Sequence, residues 1–200
     1  MFGRALVMGL CLLAAIFPDA ALSANAPSAV AAVPATRPLV SAPSQDLPAA
    51  PASRTDPSPN RLLIPRIGVN ARIEARGLDA NRNMATPNDF HDVAWYDLGP
   101  TPGEPGNALI NGHVNWWTGS AVFTRLAELR PGDTVIVLRG DGTRLSFRVT
   151  SRRTVAAGAR LASLFAPSPV ATLTLITCTG VWDPSILSDT QRLLVSATLA

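Results

Sequence analysis

The chain has 200 residues, which suits one folded domain with appended segments, and its formal net charge is +3. Its basic residues are all arginines and are scattered along the sequence, so it lacks the basic stripe or tail that is typical of proteins that bind nucleic acid. About 140 residues of mixed composition start at Arg61, enough to bury a core without a disulfide or a metal.

The first segment, residues 1–26, is typical of an export signal. A basic residue, Arg4, precedes an apolar run from Ala5 to Phe17, and small residues then lead to Ala26. The run is shorter than the roughly 20 apolar residues of a membrane span. A cleaved signal peptide and an uncleaved membrane anchor therefore both remain open, and either one predicts a location at the extracellular face of the plasma membrane.

The second segment, residues 27–60, is rich in proline, alanine and serine and shows no apolar periodicity. Such a composition cannot bury enough apolar surface to offset the entropy of ordering, so we expect a disordered linker. At about 3 Å per residue it spans on the order of 100 Å when stretched. A purposeful spacer and a passive linker explain this composition equally well.

The third segment, residues 61–200, predicts a mainly β domain with one or two short helices. Short apolar and β-branched runs are separated by turn residues, and Asp141-Gly142 between two such runs predicts a hairpin. Helical spacing is confined to residues 120–129, before Pro131. Many short strands of this kind predict a closed barrel or a sandwich. The predicted strands are 61–64, 71–78, 108–111, 134–139, 144–149, 172–178 and 192–199.

Three side chains at strand ends could carry out chemistry. Alternation in the strand 172–178 turns its leucines toward the core and Cys178 to the outer face, and alternation in 192–199 turns Arg192 outward. If these strands pair, the thiol and the guanidinium share one face. His113 ends a third apolar strand. A cysteine nucleophile, a histidine acid/base and a fixed cation are the minimal groups for acyl transfer.

Simpler roles compete with this interpretation when each residue is taken alone. Cys11 lies in the apolar N-terminal run, so Cys178 is expected to stand alone in the mature domain, where a lone cysteine is often a packed side chain. His91 lies in a polar loop beside Asp89 and Asp92, but this spacing does not predict a metal site, and we expect no metal and no cofactor.

The segment Thr174-Leu175-Ile176-Thr177-Cys178 with a downstream Arg192 resembles the signature of the sortase family, Thr-Leu-x-Thr-Cys followed by Arg. Residues 106–113, which end in Gly112-His113, resemble that family's histidine segment, and the order His, Cys, Arg agrees. Because glycine stands after Thr179, the chain is most similar to the class F group of high-GC Gram-positive bacteria. The resemblance spans most of residues 61–200.

The resemblance implies a closed eight-stranded sortase β-barrel and a cysteine transpeptidase. By this likeness Cys178 attacks a peptide bond in an LPXTG-like sorting motif of a secreted protein and forms a thioacyl-enzyme. An amine of a cell-wall precursor or of another protein then resolves it. His113 would act as the acid/base and Arg192 as the substrate and oxyanion donor.

The same likeness suggests Thr177 as a group at the substrate carbonyl, and Trp116, Trp117 and Trp182 could line the substrate groove. An L,D-transpeptidase-type enzyme is disfavoured, because its Ser-x-Gly-Cys arrangement does not fit the residues around Cys178. A papain-like protease is disfavoured because its cysteine precedes its histidine. The remaining alternative is a stalked extracellular β-domain that binds a partner and keeps a structural thiol.

Overall fold

The computed structural model describes residues 57–116 and 119–200, which form ten strands. Every predicted strand is present, although several are longer than expected. Three short strands were not predicted: Val93–Tyr96, Asn115–Trp116 and Gly119–Ser120. The predicted export segment and nearly all of the predicted linker lie outside the described residues. The strands are β1 (Pro59–Ile64), β2 (Val69–Arg76), β3 (Val93–Tyr96), β4 (Gly106–Asn111), β5 (Asn115–Trp116), β6 (Gly119–Ser120), β7 (Thr134–Arg139), β8 (Arg144–Ala156), β9 (Ala171–Asp183) and β10 (Ser188–Leu199).

Eight of these strands close into a barrel in the order β1-β2-β3-β4-β9-β10-β8-β7, and β7 pairs with β1. The predicted closed eight-stranded barrel is therefore confirmed. Strands β4 and β9 run parallel, whereas β9 and β10 form a long antiparallel hairpin. The two remaining strands, β5 and β6, make a separate antiparallel pair that follows β4 in the chain.

The barrel interior is filled by alternate residues of the strands. In β9 the inward residues Leu173 and Leu175 are fully buried, and in β10 Val195 meets them from the neighbouring strand. Full burial of one such side chain stabilises the fold by roughly 1.5–3 kcal/mol. This inner packing fixes which side chains of β9 and β10 point out of the barrel.

A second apolar cluster covers part of the outer face of β4, β9 and β10. Leu109, Ile176 and Leu194, one from each strand, are at most 2% exposed and pack with Met84 and Leu164 from loops outside the barrel. The outer face is therefore not a solvated sheet surface here. It is an apolar floor beneath two loops, and Cys178 follows Ile176 by two residues on that face.

The prediction of a helix over residues 120–129 is wrong for most of its length. Only Leu126–Glu128 forms a helical turn, of the 3-10 type. The Thr124 hydroxyl accepts a bond from the backbone N–H of Ala121 and donates to the Val114 carbonyl, which favours a turn over a continuous helix. The apolar spacing is nevertheless used, because Phe123, Leu126 and Leu129 are fully buried.

Three short 3-10 helices occur in the described residues, where one or two short helices were expected: Pro65–Ile67, Leu126–Glu128 and Ala162–Phe165. The hairpin predicted at Asp141-Gly142 is confirmed, since Gly142 has a φ of 85° in the turn between β7 and β8. Across residues 57–116 and 119–200, no helix has the length and hydropathy needed to span a membrane.

Candidate active site

Cys178 and Arg192 lie directly opposite each other on the antiparallel strands β9 and β10. The pairing on which the sequence argument depended is therefore present. Residues in register across an antiparallel pair have Cα atoms about 4.5–5.5 Å apart and present their side chains on the same face. Because Leu175 and Val195 point into the barrel, Cys178 and Arg192 share its outer face.

Cys178 is 7% exposed, and its sulfur is disulfide-bonded in the structure. The prediction that Cys178 stands alone in the mature domain stays a prediction, because Cys11 lies outside the described residues. Any nucleophilic chemistry of Cys178 therefore belongs to its reduced form.

Arg192 is on the predicted face and is buried, with 1% of its surface exposed. The residues that begin β10 hold its guanidinium. Its Nη1 donates to the carbonyls of Asp189 and Gln191, and its Nη2 donates to the Ser188 hydroxyl, each at 2.8 Å. Burial lowers the pKa of Arg192, partly opposed by Asp189, but arginine starts so high that it stays charged.

His113 lies just beyond the end of β4, next to β9. The register of β4 and β9 pairs Asn111 with Ile176. His113 follows Asn111 by two residues, and Cys178 follows Ile176 by two residues. The hydroxyl of Thr177 donates to the Gly112 carbonyl at 2.8 Å. This buried bond ties the residue before the histidine to the residue before the cysteine.

Gly112 is required by close packing against the segment that follows β6. A Cβ at this position would lie 2.8 Å from the Phe123 ring and 2.8 Å from a Val122 methyl. The close approach also allows the Phe123 amide to donate to the His113 carbonyl at 2.9 Å. The backbone of His113 is therefore fixed by the barrel on one side and by a core phenylalanine on the other.

The imidazole of His113 is 8% exposed, and this burial lowers its pKa from the ordinary value. The nearby backbone carbonyl of Pro87 favours the protonated ring and partly opposes this lowering of the pKa. The neutral imidazole therefore dominates near pH 7. A neutral imidazole is the form that can take a proton from a thiol.

The predicted groove residues have different surroundings. Thr177 is 2% exposed and its hydroxyl points to the Gly112 carbonyl, so in this structure it joins two strands. Trp116 stacks on Phe90 with ring centroids 3.3 Å apart, and Phe90 in turn contacts His113. Trp182 is 43% exposed and lies further along β9, opposite Asp189. Trp117 lies outside the described residues.

The hairpin beyond Cys178 changes register beside the cluster. Gly180 has a φ of 94°, and a Cβ there would lie 2.6 Å from the Thr190 hydroxyl oxygen. The register shift falls between Asp189 and Gln191, the two residues whose carbonyls accept from Arg192. The irregular start of β10 therefore creates the acceptors that hold the guanidinium.

Three residues near the cluster were not singled out from the sequence: Ser188, Phe90 and Asn111. The side-chain nitrogen of Asn111 donates to the Ala85 carbonyl at 2.9 Å. The side-chain oxygen of Asn111 is buried and has no hydrogen-bond partner among the described residues. An apolar strand pattern interrupted by Asn111, two residues before His113, is a signal that could have pointed to it.

His91 lies away from this cluster in an exposed turn, where its backbone N–H donates to the Asp89 carboxylate at 2.8 Å. In the part of the chain that the structure describes, no three His, Cys, Asp or Glu side chains converge as metal ligands. Cys178, His113 and Arg192 offer three complementary chemical groups at the site. Reduced Cys178 can supply a nucleophile, His113 can move a proton, and Arg192 can donate to an anionic oxygen.

The structure is a closed β-barrel with a cysteine and an arginine on two paired strands and a histidine just after the neighbouring strand. Comparisons with known proteins identify the family that has this fold. The family model for the sortase domain matches residues 62–200. The chain belongs to the sortase family. No curated protein sequence matches it.

Solved structures agree on the fold. Sortase C1 of the group B Streptococcus pilus island 1 is 23% identical with a TM-score of 0.55, and the match covers 70% of this chain and 63% of that one. Sortase C-1 from Actinomyces oris is 25% identical with a TM-score of 0.55, covering 70% and 72%. A lid mutant of sortase A from Corynebacterium diphtheriae is 23% identical with a TM-score of 0.57, covering 75% and 74%. These neighbours are of classes A and C, and the class F assignment stays a prediction.

Proposed function

We propose that the chain is a sortase-type cysteine transpeptidase in which Cys178, His113 and Arg192 carry the reaction. The observation that supports this most is the register: Cys178 faces Arg192 across β9 and β10, and His113 follows β4, the strand on the other side of β9. This register supports the proposal because it brings three groups of complementary chemistry to neighbouring strands.

The proposed reaction has two acyl transfers. Reduced Cys178 loses its proton to His113, and its sulfur attacks the carbonyl carbon of a peptide bond. Arg192 donates hydrogen bonds to the oxygen as it becomes negative. The carbon–nitrogen bond then breaks, the leaving amine takes the proton from His113, and a thioacyl-enzyme remains. An acceptor amine then attacks the thioester carbonyl and gives a proton to His113, the carbon–sulfur bond breaks, and His113 returns the proton to the Cys178 sulfur.

The surroundings of the cluster support a peptide as the substrate. Exposed apolar side chains follow Cys178 on β9, where Val181 is 74% exposed and Trp182 is 43% exposed. An extended peptide offers apolar side chains that can pack on such groups. We therefore propose an LPXTG-like sorting signal of a secreted protein as the donor.

The acceptor in this proposal is an amine of a cell-wall precursor or of another protein, and the place of action is the extracellular face of the plasma membrane. Both follow from the family and from the N-terminal sequence. The alternative, a stalked β-domain that binds a partner, requires reduced Cys178 to be inert and Arg192 to be replaceable without loss of function.

The test is cleavage of a library of Leu-Pro-x-Thr-Gly-like peptides by the reduced, full-length protein, with Cys178→Ala as the matched control. We expect Cys178-dependent cleavage and a covalent acyl-enzyme detected by mass spectrometry. Arg192→Ala should lose roughly 100-fold or more in rate, as the removal of an oxyanion donor does. Near-native turnover in either variant would refute the mechanism. An inert Cys178 with no peptide cleaved would favour the binding domain.

A further inference from the structure

Phe90, from the loop between β2 and β3, covers one side of the His113 imidazole. The two ring centroids are 4.5 Å apart with an interplanar angle of 41°. Phe90 also stacks on Trp116, whose ring centroid lies 3.3 Å away. Phe90 is half-buried between the loop and these two rings. The histidine is therefore covered by a side chain that is 23 residues away in sequence.

Two adjacent backbone amides hold Phe90 and His113 together. The Val122 amide donates to the Phe90 carbonyl at 2.8 Å, and the Phe123 amide donates to the His113 carbonyl at 2.9 Å. Phe123 is fully buried in the barrel core. Because one rigid dipeptide anchors both backbones, the contact between the two rings is built into the fold.

The same loop places a backbone acceptor near the imidazole. The carbonyl of Pro87, three residues before Phe90, favours the protonated imidazole, and Pro87 is itself buried. A carbonyl that accepts from one ring nitrogen selects the tautomer with a proton there. The other nitrogen of the neutral ring is then left to accept a proton. A ring cover and a tautomer-selecting acceptor thus come from one short segment.

We propose that Phe90 is a positioning residue for His113: its ring fixes the plane of the imidazole against the Pro87 carbonyl and keeps water from that side. The histidine then holds one tautomer with a free nitrogen for the proton of Cys178. The catalytic consequence rests on the proposed function, whereas the tautomer and the hydration of His113 do not. The other titratable or charged groups of this loop segment and of the adjoining strand ends are Asp89, His91, Asp92, Cys178 and Arg192, and Phe90 variants leave them unchanged.

The direct test is an NMR titration of His113 in the reduced full-length protein. Cys178→Ala serves as the background, because it removes coupled titration with the thiol. The chain has two histidines, so His91→Gln assigns the signals. In Phe90→Ala the pKa of His113 should rise toward its ordinary value of about 6.5, and the nitrogen shifts should show mixed tautomers. Phe90→Leu should show the same changes to a smaller extent, and Phe90→Tyr should restore the parent behaviour.

Leu98→Ala is the matched control, since Leu98 is an exposed apolar side chain and should leave the His113 titration unchanged. With Cys178 restored, Phe90→Ala should lower kcat roughly 10-fold to 100-fold with little change in KM, because the acid/base is misplaced. An unchanged His113 pKa and tautomer in both Phe90→Ala and Phe90→Leu would overturn the proposal. If the parent cleaves no peptide, the proposed function fails, while the titration still decides the role of Phe90.

Discussion

The bond between the Thr177 hydroxyl and the Gly112 carbonyl provides a sharp test of how the site is assembled. Thr177→Val removes the hydroxyl and keeps the shape of the side chain, so the buried Gly112 carbonyl loses this donor. A buried polar group that loses its partner costs about 1–3 kcal/mol. Since the bond is short and Thr177 is 2% exposed, we expect a loss of about 2 kcal/mol in the free energy of unfolding.

For a domain of this size, that loss corresponds to a decrease in Tm of roughly 4–8 °C. Turnover should fall further than in other variants of equal stability, because the bond joins the residues that precede His113 and Cys178. The assays are urea unfolding and peptide cleavage at a temperature where both proteins are folded.

Thr174→Val is the matched control for this experiment. Thr174 lies on the same strand, is also 2% exposed, and donates to the Asn107 side-chain oxygen at 3.0 Å. That oxygen keeps a second donor, Thr172, so the control should lose less stability and retain turnover. If Thr177→Val matched Thr174→Val in both stability and turnover, the bond would not be needed to align the two strands.

Three further predictions concern the same cluster. Ser188→Ala removes one of the groups that hold Arg192, so kcat should fall by roughly 3-fold to 10-fold, in line with a net loss of about 1 kcal/mol. Ser185→Ala is the control and should not change kcat, because among the described residues the Ser185 hydroxyl bonds only to Asp183 in the same hairpin. Gly112→Ala should destabilise the fold by about 1–3 kcal/mol, because its Cβ meets the buried Phe123 ring, and urea unfolding measures this. Since burial lowers the pKa of His113, the unfolded chain takes up the proton first, so stability should fall as the pH drops below about 6.5, and His113→Gln should weaken that dependence.

Period-2 alternation was sufficient to predict that Cys178 and Arg192 point out of the barrel, but not that their two strands pair. Leucines at alternate positions of β9 and aliphatic residues at alternate positions of β10 fill the barrel, so the residues between them must point outward. Alternation does not state whether an outward face is solvated. Arg192 is buried because the β9–β10 hairpin shifts register near Gly180, and Ser188 and two carbonyls then surround the guanidinium. That irregularity has no periodic signal.

The helix predicted over residues 120–129 shows a second limit of pattern reasoning. Spacing of three and four residues occurs at Phe123, Leu126 and Leu129, and all three are buried, so the pattern identified the core face correctly. The conformation differs because side-chain bonds of Thr124 compete with helical backbone bonds. The turn that results places the Val122 and Phe123 amides where they bond to Phe90 and His113.

The environment of His113 is assembled from residues that lie far apart in sequence. For this reason no short sequence motif predicts that environment, although a motif does point to His113 itself. Gly112 permits the approach of Phe123, Thr177 secures the Gly112 carbonyl, and Phe90 covers the ring. None of these groups bonds to the nucleophile among the contacts described. If His113 must be neutral and held in one tautomer to accept the thiol proton, changes at these positions should alter the pH dependence of acylation more than they alter peptide binding. In the proposed mechanism Cys178 supplies the nucleophile, and the loops around His113 then determine at which pH it can be used.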